Sequence, residues 1–267
     1  MLIDFHTHIF PDKIASGAIN SLSNSIVNFQ GSRPRHYARG TYDSLRSSMK
    51  RSGVDVSVVL PIATKQKQTD SINGFAKTLR NESVISFGSL HPEQDDWASI
   101  LEKLKNEGFK GIKLHPEYQS FYIDSKRSIE ILRKAESLGL YVVLHTGFDD
   151  GMPEPMHCQP DRLKNVLDYV SGEKIIAAHL GAYKNWDDVE KYLVGTNINF
   201  DTAFISPYIS PEQCRRIIQN HGAQKVLFGS DSPWQNPKTE YDFILNLGLS
   251  KQENEMIFYK NALKILK

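Results

Sequence analysis

The chain has 267 residues, with 32 Lys plus Arg against 31 Asp plus Glu, a formal charge of +1 and 24% charged residues. That balance supplies no field for nucleic acid or an anionic membrane and leaves a small molecule as the expected partner. No run of about 18 apolar residues and no basic segment leading into an apolar one occurs, and Cys158 and Cys214 are too few for a disulfide scaffold, so a soluble, unexported, cytoplasmic chain is expected.

In chain order, eight β-rich apolar runs alternate with charge-rich segments. They are LIDFHT (2–7), VSVVLP (56–61), VISFGSL (84–90), KGIKLH (110–115), LYVVLHT (140–146), KIIAAH (174–179), INFDTA (198–203) and KVLFGSD (225–231). The segments between them, such as DWASILEKLKNEG and SKRSIEILRKAESLG, carry apolar residues three and four apart and end in glycine, as amphipathic helices do. Strand and helix alternating at this length predict a parallel sheet with helical crossovers. Eight units, with no GxGxxG or GxxxxGK[ST] phosphate turn, predict an α/β fold of the closed (β/α)8 TIM-barrel type, a single domain over 1–267.

Two segments depart from the alternation and read as long loops after strands one and five, lids or surface insertions over a barrel mouth. Residues 12–40 are rich in Ser, Asn, Gly and Arg, with room for a short helix within 16–28, and residues 148–162 are rich in Pro and acid. The ending SKQENEMIFYKNALKIL has Ser250 as a helix cap and an apolar stripe through Met256, Ile257, Tyr259, Ala262, Leu263 and Leu266, a final helix closing the barrel.

The first run holds His6 and His8 two residues apart. On a regular strand Asp4, His6 and His8 share one face and Ile3 and Phe5 the other. Two imidazoles pointing one way suit a divalent metal; a hydrogen-bonded histidine pair is the plainer alternative. Position along the chain argues for the metal. Of nine histidines, His8, His91, His115, His145 and His179 fall at or just past a strand's C-terminal end, and Asp231 ends the eighth run in the same way. Such ends converge on one mouth in a barrel.

Taken together, DFHTHIFP, GFKGIKLHPEYQ, GLYVVLHTG, KIIAAHLGA, VLFGSDSPW and the YKNALKIL ending resemble the amidohydrolase superfamily. The likeness is to its amidohydrolase-related family of short TIM barrels, which includes metal-dependent hydrolases and nonoxidative decarboxylases of aromatic or unsaturated acids. The resemblance implies that His6, His8, His145 and Asp231 bind a divalent metal, with His179 and Asp231 catalytic. A nitrogen-rich set favours one Zn2+ per chain, with Mn2+ the alternative. A metal-bound water with its pKa lowered toward about 7 would attack a C–N or C–O bond of an amide, lactone or ester, the leading expectation. The alternative reading is a metal-dependent nonoxidative decarboxylase, in which a substrate carboxylate sits at the metal and Asp231 or His179 protonates the ring carbon. A barrel that binds without turnover is the third reading.

Lys113 and His115 share a face of strand four, and both are expected to bind substrate; a bridging carbamate on Lys113 or a purely structural lysine are the alternatives. Trp234 and Trp186 are read as apolar walls, with packing between loops as the alternative. Arg33, in a basic group with Arg35, His36 and Arg39, is read as a contact for an anionic substrate or as solvated loop. Oligomeric state leaves no mark in the sequence, a homodimer being the default for a soluble enzyme.

Overall fold

Each of the eight apolar runs forms a short parallel strand in the computed structural model, which describes residues 1–267. These are β1 (Ile3–Thr7), β2 (Val56–Val59), β3 in two halves (Val84–Ser86 and Gly88–Ser89), β4 (Gly111–Leu114), β5 (Tyr141–Leu144), β6 (Ile175–Ala177), β7 (Asn199–Asp201) and β8 (Val226–Leu227). β3 is split at Phe87. Its first half pairs back to β2 and its second half forward to β4, with the Phe87 N–H donating to Val59 O at 3.0 Å between them. The ring closes between β8 and β1, where Phe5 N–H donates to Phe228 O and Asp231 N–H to His6 O, both at 2.8 Å. The result is a (β/α)8 barrel, whose strand ends define one functional mouth.

Side-chain alternation sorts the strands into two apolar layers. Val59, Ile112, Leu114, Val142, Leu144 and Phe200 face the surrounding helices, while Phe5, Val58, Phe87, Val143, Ile176 and Leu227 fill the barrel interior. The C-terminal segment packs Ala262 and Ile265 onto that interior, so it closes the barrel as expected. Its helix starts at Lys251 under a Ser250 capping box and passes through a π turn at Met256–Lys260 before Asn261–Leu266.

Two expectations need correction. Residues 12–40 are mostly helix: α1 (Asp12–Gln30) runs for 19 residues and ends at Gly31, whose φ of 72° lets its N–H reach Val27 O. Its Ser and Asn content disguises a buried row of Ala15, Ile19 and Ser23 at four-residue spacing, which anchors it to the barrel. Strict alternation also fails in β1, where the register shifts between Asp4 and Thr7. Asp4 is therefore not part of the histidine pair, and its carboxylate accepts from the Ser230 N–H at 2.9 Å and hydroxyl at 2.5 Å.

One buried acid couples this scaffold to pH. Glu240, in the helix Pro237–Leu245, is wholly buried and accepts from the Ser206 hydroxyl at 2.6 Å. Burial outweighs the Ser206 bonds and raises its carboxyl from 4.5 to about 8. Between those values the folded chain keeps a proton that the unfolded chain releases, so this contribution is intact below 4.5 and is lost as pH rises through about 8. Glu240→Gln retains an acceptor for Ser206 and cannot ionise. We predict that thermal unfolding scans show its Tm rising relative to the parent between about pH 5 and about pH 8; a constant difference across that range would refute the assignment.

Candidate active site

At the C-terminal ends of the strands opens a cavity of 1010 Å³, and His6, His8, Lys113, His115, His145, His179 and Asp231 all line it. The hydrogen bonds of four rings, three buried and His8 partly so, decide which nitrogens face inward. His8 Nδ1 lies 2.8 Å from Leu60 O, His179 Nδ1 2.8 Å from Ala203 O and His145 Nε2 2.9 Å from Phe148 O. A carbonyl only accepts, so each of those nitrogens carries the hydrogen, a tautomer assigned from its partner. His6 Nδ1 is committed likewise to Asp201 Oδ2 at 2.8 Å.

A neutral imidazole has one N–H, so the remaining nitrogens hold bare lone pairs, and these face each other. His6 Nε2 is 3.1 Å from His8 Nε2, and His179 Nε2 is 3.1 Å from His145 Nδ1. Asp231 Oδ1 adds a negative oxygen 3.2 Å from His8 Nε2 and 3.6 Å from His6 Nε2. With the rings neutral, no hydrogen lies between the members of either imidazole pair, and the arrangement repels itself unless a cation sits among the donors. Burial and the Lys113 ammonium lower His6 to about 4 against the pull of Asp201, so protonation of the ring does not supply that charge at neutral pH. Burial and the facing His115 and His179 rings hold His145 well below the ordinary imidazole value as well. Neutral nitrogens with a carboxylate are the donor set a divalent transition metal takes. The residues fit the ion.

The donors form two groups. His6, His8 and Asp231 place their ligand atoms within 4.8 Å of one another, and so do His115, His145 and Asp149. His145 thus stands apart from the first trio and is joined to it through His179, whose ring centre is 5.4 Å from that of His6. His115 is stacked between His145 at 4.1 Å and Tyr118 at 4.0 Å. Lys113 sits at the base of the site, fully buried, with Nζ making no hydrogen bond. Burial lowers its ammonium to about 8 despite Asp201 and Asp231, leaving it charged at neutral pH.

Trp234 lines the cavity, but Arg33 does not: its guanidinium donates to Asn20 at 2.9 Å on the exposed side of α1, and Arg35 lines the cavity in its place. Both arginines lie in the irregular segment after α1, where composition does not reveal which side chain faces the cavity. Trp186 is no wall either. Its indole N–H donates to the His179 carbonyl at 3.0 Å and holds that residue in place. His91 lies outside the cavity lining as a turn residue, its Nδ1 accepting from the Glu93 N–H.

Sequence reasoning missed Asp201. Its carboxylate accepts three N–H groups, from His6 Nδ1 at 2.8 Å, the His179 backbone at 2.9 Å and the Ala203 backbone at 3.0 Å. Burial pushes its pKa upward, but the His6 and His179 rings and Lys113 hold it below the usual carboxylate range. It stands at the end of β7 as Asp231 stands past β8, so the positional signal that found one also marks the other. His179 and Asp231 themselves have φ of 59° and 64°. Left-handed backbone at non-glycine residues costs about 1–3 kcal/mol each and persists where surrounding structure enforces it, here at the mouth.

A sequence profile described as amidohydrolase matches residues 3–267. No curated protein matches the chain. Among solved structures, 5-carboxyvanillate decarboxylase from Sphingomonas paucimobilis is similar at a TM-score of 0.69 and 15% identity, over 99% of this chain and 98% of that one. The same activity's enzyme from Novosphingobium aromaticivorans, complexed with manganese and 4-hydroxy-3-methoxy-5-nitrobenzoic acid, aligns at 0.73 and 16%, over 100% of this chain and 96% of that one. An amidohydrolase II aligns at 0.72 and 18%, over 100% of this chain and 99% of that one. At these identities the likeness shows the barrel fold.

The donor geometry predicts the metal content of variants. Mass-spectrometric metal analysis should find His6→Ala and Asp231→Asn stripped of the ion yet folded by circular dichroism. Asp201→Ala, which touches no ion but frees His6 Nδ1, should weaken metal affinity by about 10- to 100-fold. Full occupancy in the double variant His6→Ala, His8→Ala would eliminate this site.

Proposed function

We propose that this chain, which belongs to the amidohydrolase family, is a divalent-metal-dependent nonoxidative decarboxylase of an aromatic or unsaturated carboxylic acid. The observation that carries the reading is the Lys113 ammonium, buried at the base of the cavity with no partner for Nζ. A buried ammonium with no hydrogen-bond acceptor is costly even with Asp201 and Asp231 nearby, and a substrate carboxylate at Nζ removes that cost. Decarboxylases among the similar structures support the same choice. Hydrolysis of an amide, lactone or ester is the less supported use of the site, because an uncharged substrate leaves Lys113 without an anion.

His6, His8 and Asp231 would hold the ion, with His145 offering the adjoining lone pair. Once bound, zinc or manganese would supply positive charge that fixes the substrate's carboxylate and its neighbouring oxygen. Lys113 Nζ binds the carboxylate from below. His179 has Nδ1 tied to Ala203 O and so exchanges a proton only at Nε2, the atom that faces the site. Protonated there, it passes the proton to the carbon bearing the carboxylate. The bond from that carbon to the carboxylate breaks, its electron pair returns to the ring, CO2 leaves, and neutral His179 recovers a proton from solvent. His115, clamped between His145 and Tyr118, and Trp234 wall the substrate in.

Two measurements test this. Metal-loaded protein incubated with hydroxybenzoates and with lactones should release CO2 from the former; acid release from lactones alone would establish the hydrolase instead. Lys113→Met should raise KM by about tenfold or more while metal content persists, and His179→Asn should keep the metal while kcat falls by about 10²- to 10⁴-fold. An unchanged KM in the first variant would remove the carboxylate contact.

A further inference from the structure

The cavity is far larger than a one-ring acid requires, and its polarity is divided. Its 1010 Å³ matches the upper end of sites that enclose drug-sized ligands of roughly 300–1,000 Å³. The imidazoles, Lys113 and Asp231 gather at the strand ends, with Lys13, Arg35, Asp150 and Lys184 the other charged groups of the lining beside Asp149. Farther out, α1 presents Ala18, Leu22 and Ile26 to the cavity at four-residue spacing, a continuous apolar row on one helix face. Ile62, Ile72 and Phe75 line the cavity from the segments that follow β2.

This row is distinct from the Ala15, Ile19 and Ser23 row that anchors α1 to the barrel, so it is not needed to hold the helix. A second observation concerns the rim. Among the large apolar side chains that remain exposed, Ile14 at 56%, Tyr208 at 46% and Tyr37 at 38% all border this cavity. Exposed apolar surface gathered around a concave opening marks a binding site for an apolar group.

We infer that the substrate is amphiphilic: a carboxylated head at Lys113 joined to an extended apolar substituent that lies along Ala18, Leu22 and Ile26, a run of about 12 Å. This deepens the decarboxylase reading and rests on it for the carboxylate head. The head supplies orientation through charge, and the substituent supplies affinity through area removed from water.

Isothermal titration of the metal-loaded protein with benzoate, 4-butylbenzoate and 4-octylbenzoate below their aggregation limits tests it without relying on turnover. The expected result is a Kd that falls by up to about fourfold per added methylene, with the gradient collapsing in Leu22→Asp and in Ile26→Asn. A Kd independent of chain length overturns the inference, as does a gradient that both variants leave intact. A dimer that dissociates in Leu22→Asp, with no chain-length gradient, would show that a second copy covers the row and would also overturn it. The two readings separate cleanly: a gradient without CO2 release from any acid refutes the decarboxylase, whereas CO2 release without a gradient refutes the amphiphilic substrate.

Discussion

The site depends on one constraint: four of the five imidazoles at the mouth have a ring nitrogen and its hydrogen committed to an acceptor behind the ring. Asp201, Leu60 O, Ala203 O and Phe148 O take those hydrogens from His6, His8, His179 and His145. The lone pairs are thereby forced inward, against one another and against Asp231. Such an arrangement is unfavourable by itself and favourable around a cation, so the protein stores in its tautomers the preference for an ion. Asp201 has the widest reach because it fixes a ring on β1 and the peptide of His179 after β6 at once.

Burial works on every group there but with opposite outcomes. It keeps His6 and His145 neutral and leaves Asp231 ionised because His8 and His6 offset the desolvation. For Lys113 the carboxylates of Asp201 and Asp231 offset it only in part, and no acceptor reaches Nζ. The barrel interior below is apolar, with Phe5, Val58 and Val143, and no side chain reaches Nζ. The ammonium without a hydrogen-bond partner and the electron-rich donors thus face one cavity from its base and its mouth.

Rigid strand ends hold the charged groups, and a helix holds the wall above them. Because α1 follows β1 directly, the two histidines and the apolar row along α1 are set by one stretch of chain. Tertiary anchoring through Ala15 and Ile19 leaves the cavity-facing row free to meet a ligand. Charge thus lies at the base of the cavity and an apolar row lies along α1.

The eight strands were legible in the sequence because alternation and apolar runs are properties of consecutive residues, and the helices between them show the same local periodicity. Position at strand ends was enough to single out His6, His8, His145, His179 and Asp231, since a parallel barrel brings such ends to one mouth. The extent of α1 was hidden under Ser and Asn, whose helix preference is weak and is overridden by packing of one face. Asp201, Trp186 and the outward turn of Arg33 were decided only by the tertiary structure. So was the hydrogen on each imidazole: the partner of His6 lies 195 residues away and that of His8 52 residues away, and no local pattern encodes a hydrogen bond across such a distance.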